Sequence, residues 1–346
     1  MILKFVVLLI CLGAGLLQAE PVRFDNYRVY EVSIGSEKQL EAFQYMERYP
    51  DGYIFWESPV QTNMKINLVV PPHKVAEFEE LKQHLDFESR LKIANVQKLI
   101  DEESPQKSRR ALGWDAYPSL EEINTWIGEK VAEYPTILSM TSIGQSYEGR
   151  EMFAVKLSYK TGNPGIFIES NIHAREWITS ATTEGGASSV PCTDTYGGPE
   201  PGSEIETKNI MNYFISVKDN IHAYFSFHSY GQYILFPYGH TGADYSENYY
   251  DMMEMGEASA IAIYGKYGTA YEVGTTADVL YIASGSSPDW AHGTHGTPVA
   301  ATFEFRDNGY HGFILPPDQI IPNAMEVMDG LIAFLRKGKE IGYFTV

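Results

Sequence analysis

Between residues 119 and 336 short apolar runs alternate with stretches of helical period, and this alternation limits the fold more than any other feature of the chain. Met152–Leu157, Gly165–Ser170, Ala223–His228, Tyr233–Phe236 and Val299–Phe305 read as short buried strands. Helical periodicity runs over Ser119–Tyr134, Glu204–Asp219, Glu247–Tyr264 and Pro322–Arg336. The alternation predicts an α/β domain whose sheet is covered by helices on both faces. In such sheets ligands sit beyond the C-terminal ends of strands, so polar residues that directly follow an apolar strand carry the functional information.

Three places meet that description. Ile166–Ser170 runs into Asn171-Ile172-His173-Ala174-Arg175-Glu176-Trp177, Ala223–Phe227 runs into His228, and Ala300–Phe303 runs into Glu304. His173 and Glu176 are three apart and can point at one ion. With His228 they make two imidazoles and a carboxylate, a tetrahedral zinc set with one open position. Glu304 is then placed to shuttle a proton. Each signal also has a plain structural reading. A histidine at a strand end is often only hydrogen-bonded structure, and Glu304 is equally placed to pair with Arg306. His292 and His295 have metal-like spacing but sit in a Gly/Pro-rich loop, which speaks against a functional site there.

The front of the chain reads differently. Lys4 precedes an apolar run from Phe5 to Leu17 that is too short to span a bilayer, which predicts a signal peptide over 1–19 and a secreted product. Residues 20–110 form a small α+β unit, with strands around Tyr30–Ile34 and Lys65–Val70 and helices over His73–His84 and Ser89–Ile100. It ends in the dibasic Arg109-Arg110, a candidate activation cleavage for a trypsin-like protease, although an exposed basic turn reads the same way. The net charge of −19 argues against a nucleic-acid partner. Cys11 lies in the predicted leader, which leaves Cys192 alone in an oxidising compartment.

Taken together the motifs resemble the secreted zinc metallocarboxypeptidases of the A/B type. Asn171–Ile178 is similar to their first zinc motif, and His228-Ser229-Tyr230 with Phe236–Gly239 to their second ligand and the hairpin after it. Leu280–Gly285 and Ser287–Trp290 resemble their mobile tyrosine loop, and Thr302–Asp307 their catalytic glutamate strand. The resemblance runs in order over nearly all of 22–346 and implies a carboxypeptidase-like mixed sheet in 111–346, behind an inhibitory pro-segment over 20–110. It implies one Zn2+ on His173, Glu176 and His228, Glu304 as catalytic base, and Arg175, Tyr281, Tyr230 and Pro288 as substrate contacts. Pro288 stands where B-type enzymes carry an aspartate, so an apolar or aromatic C-terminal residue of a peptide or protein is the expected substrate. A monomer free of membranes after leader removal is expected.

One departure stands out. His173 and His228 are only 55 positions apart, and the sequence passes from family-like residues ending at Thr183 to others, starting at Glu184, that match the family much further on. Against the family pattern roughly 70 residues are missing at 183–184. The resemblance implies that they include an interior strand, an oxyanion-stabilising arginine, an Asn-Arg carboxylate anchor and the cysteine that pairs with the one at Cys192. A zinc-binding but catalytically impaired chain, or a non-enzymatic shortened product, is the alternative expectation.

Overall fold

The computed structural model describes residues 22–103, 114, 116–170, 172–173, 175–176, 199–200 and 202–344. The predicted leader, Arg109, Arg110, the 183–184 junction and Cys192 lie outside the described residues. No helix among the described residues is long and apolar enough to cross a membrane.

The first unit holds β1 (Arg28–Ile34), α1 (Glu37–Arg48), β2 (Ile54–Phe55), β3 (Met64–Val70), α2 (Val75–Leu85), β4 (Ser89–Ile93) and α3 (Val96–Glu103). Its sheet runs β2-β3-β1-β4, with all pairs antiparallel. Val32, Phe43, Ile66, Leu68 and Phe78 close one core under α1 and α2. The expected helix over Ser89–Ile100 is instead strand β4 followed by helix α3. Leu91 and Ile93 alternate with Arg90 and Lys92 at period two and pair with β1, and only from Val96 onward does the helical period begin. Helix α1 was not expected, although Ser36 caps it by accepting from the Gln39 N–H and Leu40 and Phe43 mark its buried face.

The rest of the chain adds α4 (Leu120–Glu133), β5 (Leu138–Gln145), β6 (Glu151–Leu157), β7 (Gly165–Ser170), α5 (Ile205–Val217), β8 (Ile221–His228) and β9 (Tyr233–Phe236). It continues with α6 (Tyr249–Tyr267), β10 (Glu272–Thr275), the short α7 (Thr276–Val279) and α8 (Ser287–Asp289), β11 (Val299–Glu304) and α9 (Ile320–Glu340). The expected strands and helices therefore form, and the sheet is mixed: its order is β10-β9-β11-β8-β7, parallel except where β11 meets β9. Phe225, Phe236, Phe303 and Phe334 fill the core beneath α6 and α9, each burial contributing about 2–3 kcal/mol. A Cβ at Gly330 would lie 2.7 Å from Ile263 and 2.9 Å from Ser259, so glycine is what lets α9 approach α6.

The other end of the sheet differs. Among the described residues β7 pairs only with β8, and β6 pairs only with β5 in a separate hairpin. Ile168 is 50% and Leu157 61% exposed, so the expectation that Met152–Leu157 is a buried strand fails: among the described residues no layer covers it. One face of β7 is closed, where Phe167 packs on Phe214 and stacks on Tyr224.

Candidate functional site

The polar residues converge because the registers of three parallel strands agree. β8 points Tyr224, Ser226 and His228 to one face, and pairing sets Glu304 of β11 opposite His228. β7 ends at Ser170, and the chain turning off its C-terminal end brings back His173 and Glu176. Ligand atoms of His173, Glu176 and His228 all lie within 4.8 Å of one another. His173 Nδ1 contacts Glu176 Oε1. His228 Nδ1 lies 3.8 Å from Glu176 Oε2 and 3.7 Å from Glu304 Oε1. The Ser229 N–H donates to Glu176 Oε2 at 3.2 Å, and Ser226 Oγ lies 2.8 Å from His228 Nε2.

Electrostatics tests the donor set. Burial, then the neighbouring His228 and Arg175 charges, holds His173 down at about 2, and burial alone holds His228 at about 3. Both rings are therefore neutral, the form that ligates metal. Burial raises Glu176 and Glu304, and for Glu176 the Glu304 charge adds to the effect. Neutral imidazoles facing two crowded carboxyls fit a divalent cation, which would return the carboxyls to their charged form. Glu304 does not pair with Arg306, whose Nε instead donates to Glu326 Oε1 at 2.6 Å.

The site opens into a cleft of about 560 Å³ that Arg175, Tyr230, Tyr281 and Pro288 also line. Burial, then Glu304, pushes the Tyr281 hydroxyl up to about 12. Asp289, next to Pro288, accepts the Gly239 N–H at 2.8 Å and so faces backbone. Among the described residues Arg175 is the one Lys or Arg lining the cleft. His292 and His295 stay apart from the site: His292 Nδ1 meets Thr297 O at 2.8 Å, and His295 packs on Trp290.

Residues of the first unit reach into this cleft, which the sequence did not reveal. Arg175 donates to the carbonyls of Phe55 and Trp56 at 3.0 and 3.2 Å, and its guanidinium lies 4.3 Å over the Phe313 ring. Tyr230 contacts Glu57, and Asn67 Nδ2 donates to the Tyr230 hydroxyl at 3.0 Å. Gly312 has φ +63°, and a Cβ there would lie 2.3 Å from the Trp56 ring, so Trp56 seats only against glycine. Sequence reading also missed Glu169 and Ser287, joined at 2.7 Å beneath the site. A lone carboxylate inside the apolar run Gly165–Ser170 was the available signal for Glu169.

Comparison with known proteins gives one consistent answer. A family model described as zinc carboxypeptidase matches residues 123–184 and 181–330, and one described as carboxypeptidase activation peptide matches 30–103. Zinc carboxypeptidase A 1 of Anopheles gambiae is 34% identical, with 94% of this chain and 93% of that protein covered. A zinc carboxypeptidase of Simulium vittatum is 36% identical over 66% of this chain and 99% of its own. The crystal structure of carboxypeptidase A from Helicoverpa armigera superposes with a TM-score of 0.78 at 21% identity, covering 92% of this chain and 99% of that one. The Anopheles alignment spans 402 positions, whereas 94% of 346 residues is about 325, so roughly 77 aligned positions face no residue of this chain. The two matched segments of the peptidase model meet at 181–184.

Proposed function

The chain belongs to the zinc carboxypeptidase family, and on that premise we propose that it is a secreted exopeptidase precursor that has lost part of its substrate-binding half. In this reading 1–19 is the signal peptide, 20–110 the inhibitory pro-segment, and 111–346 the peptidase domain, shortened at 183–184. Cleavage after Arg109 or Arg110 by a trypsin-like protease would free the contacts that Phe55 and Trp56 make with Arg175.

His173, Glu176 and His228 would hold one zinc. When bound, zinc polarises a scissile carbonyl and acidifies water. Glu304, raised by burial, takes a proton from the attacking water and returns it to the leaving amine. Arg175 holds the peptide near the cleft mouth, Tyr281 covers its terminal carboxylate, and Tyr230 packs beside it. Pro288 supplies no counter-charge at the pocket, which favours apolar or aromatic C-terminal residues. A basic side chain left unpaired there costs several kcal/mol.

One observation carries the impairment: Arg175 is the single Lys or Arg lining the cleft among the described residues. One cation cannot both stabilise an oxyanion and clamp a terminal carboxylate. Loss of one oxyanion donor costs about 10²–10³ in rate, and loss of a bidentate anchor removes exopeptidase selectivity. The test is the trypsin-treated protein, assayed for zinc and on peptides ending in Phe or Lys. The expected result is one zinc per chain with weak or absent turnover, and any residual turnover on the Phe peptide. Turnover equal to that of a full-length relative would contradict impairment. Absence of zinc together with a featureless near-UV spectrum would favour a shortened product without enzymatic role.

A further inference from the structure

Under the ligands lies a second polar row that the reaction outlined above does not use. Pairing sets Glu169 of β7 beside Ser226 of β8, and Thr302 of β11 beside Ser226 on its other side. All three share the face that carries His228 and Glu304 one step further along. Glu169 is 7% exposed and Ser226 fully buried. A buried carboxyl persists only when polar partners hold it. Ser287 Oγ donates to its Oε1 at 2.7 Å. Its Oε2 has no hydrogen-bond partner among the described residues, and burial pushes the carboxyl above its usual range while the Ser226, Ser287 and Tyr224 hydroxyls oppose that shift.

We propose that Glu169 and Ser226 are positioning residues that fix the ring nitrogen His228 offers to the site, and that Glu169 ties this floor through Ser287 to the cleft wall at Pro288. Ser226 has one hydroxyl hydrogen, and the Glu169 Oε2 left without a partner among the described residues is an acceptor position for it. With that hydrogen turned to Glu169, the Ser226 oxygen faces His228 Nε2 at 2.8 Å with a lone pair. Nε2 must then carry the ring hydrogen, which leaves the lone pair on Nδ1, the atom that faces Glu176 and Glu304. Ser226 thus does for His228 what an outer-shell carboxylate does for a metal-ligating histidine. The inference rests on the reading of His228 as a ligand.

The experiment uses the full chain, metal-free and labelled with 15N-histidine, together with zinc titration against a chromophoric chelator. In the parent, His228 shows its hydrogen on Nε2. Ser226→Ala mixes the two tautomers and weakens zinc binding about 10–100-fold, Ser226→Thr restores affinity to within about threefold, and Glu169→Gln falls between them. A purely structural role would lower the melting temperature without changing the tautomer. Ser226→Ala with the parent tautomer and an affinity within about threefold of the parent would overturn the proposal. Should Ser226→Ala fail to fold, a parent spectrum with the hydrogen on Nδ1 overturns it alone. A parent that binds no zinc, yet loses its Nε2–H tautomer on Ser226→Ala, would sink the ligand reading and leave the positioning intact.

Discussion

The two ends of the main sheet differ in completeness. At one end β8, β11, β9 and β10 are sealed by α6 and α9, with Phe225, Phe303 and Phe334 fully buried. At the other, β7 is an edge among the described residues, and the β5–β6 hairpin is a separate sheet with Phe153, Val155 and Leu157 exposed. His228 and Glu304 belong to the sealed end, while His173, Glu176 and Arg175 follow the edge strand. The His173, Glu176 and His228 cluster therefore draws on both ends of the sheet, with His228 from the sealed end and His173 and Glu176 from the chain that follows the edge strand, beside Arg175.

The comparison breaks most visibly if the sealed end is opened. Phe334→Ala leaves a cavity among Phe225, Phe236 and Phe303 and is expected to cost about 3–5 kcal/mol in urea denaturation. A cost below about 1 kcal/mol would mean that this core does not carry the fold.

A smaller effect tests a buried carboxyl at the end of the first unit. Glu103, at the end of α3, is 4% exposed with no partner for its Oε1 among the described residues, and burial pushes it up to about 8. Its folded value lies above the ordinary 4.5, so the cost of burial is absent below pH 4.5, grows between 4.5 and 8, and is complete above 8. Glu103→Gln is expected to stabilise the protein by about 2–4 kcal/mol at pH 9 and to change little at pH 4. Melting curves across that range check it, and a pH-independent difference would contradict it.

The smallest effect belongs to the edge. Ile168→Ser removes a half-exposed side chain from β7 and should change stability by less than about 0.5 kcal/mol, while reducing aggregation because the open edge becomes less apolar. A loss of several kcal/mol would show that something covers this face.

The sequence made the sealed end readable and hid much else. Strands β8 and β11 announce themselves as apolar runs ending in His228 and Glu304, and in such sheets ligands gather beyond the C-terminal ends of strands. The helical periods of α5, α6 and α9 were legible because each buries side chains on one face, whereas α4 shows its period without a buried residue. Strand β4 was misread because Leu91 and Ile93 run into Val96, Leu99 and Ile100, where a period of two passes into 3.6 without a break. The reach of Phe55 and Trp56 to Arg175, about 120 positions away, has no local signature at all. Nor could periodicity say that Met152–Leu157 lacks a cover, because an exposed apolar strand and a buried one share one pattern.

The most direct test concerns the proposed shortening. It inserts, between Thr183 and Glu184, the segment that the Anopheles relative carries at that place in the alignment. The account predicts that zinc affinity stays within about threefold, while turnover of the trypsin-treated protein on a C-terminal Phe peptide rises at least about 10²–10³-fold. Unchanged turnover, or zinc binding that appears only after the insertion, would contradict it.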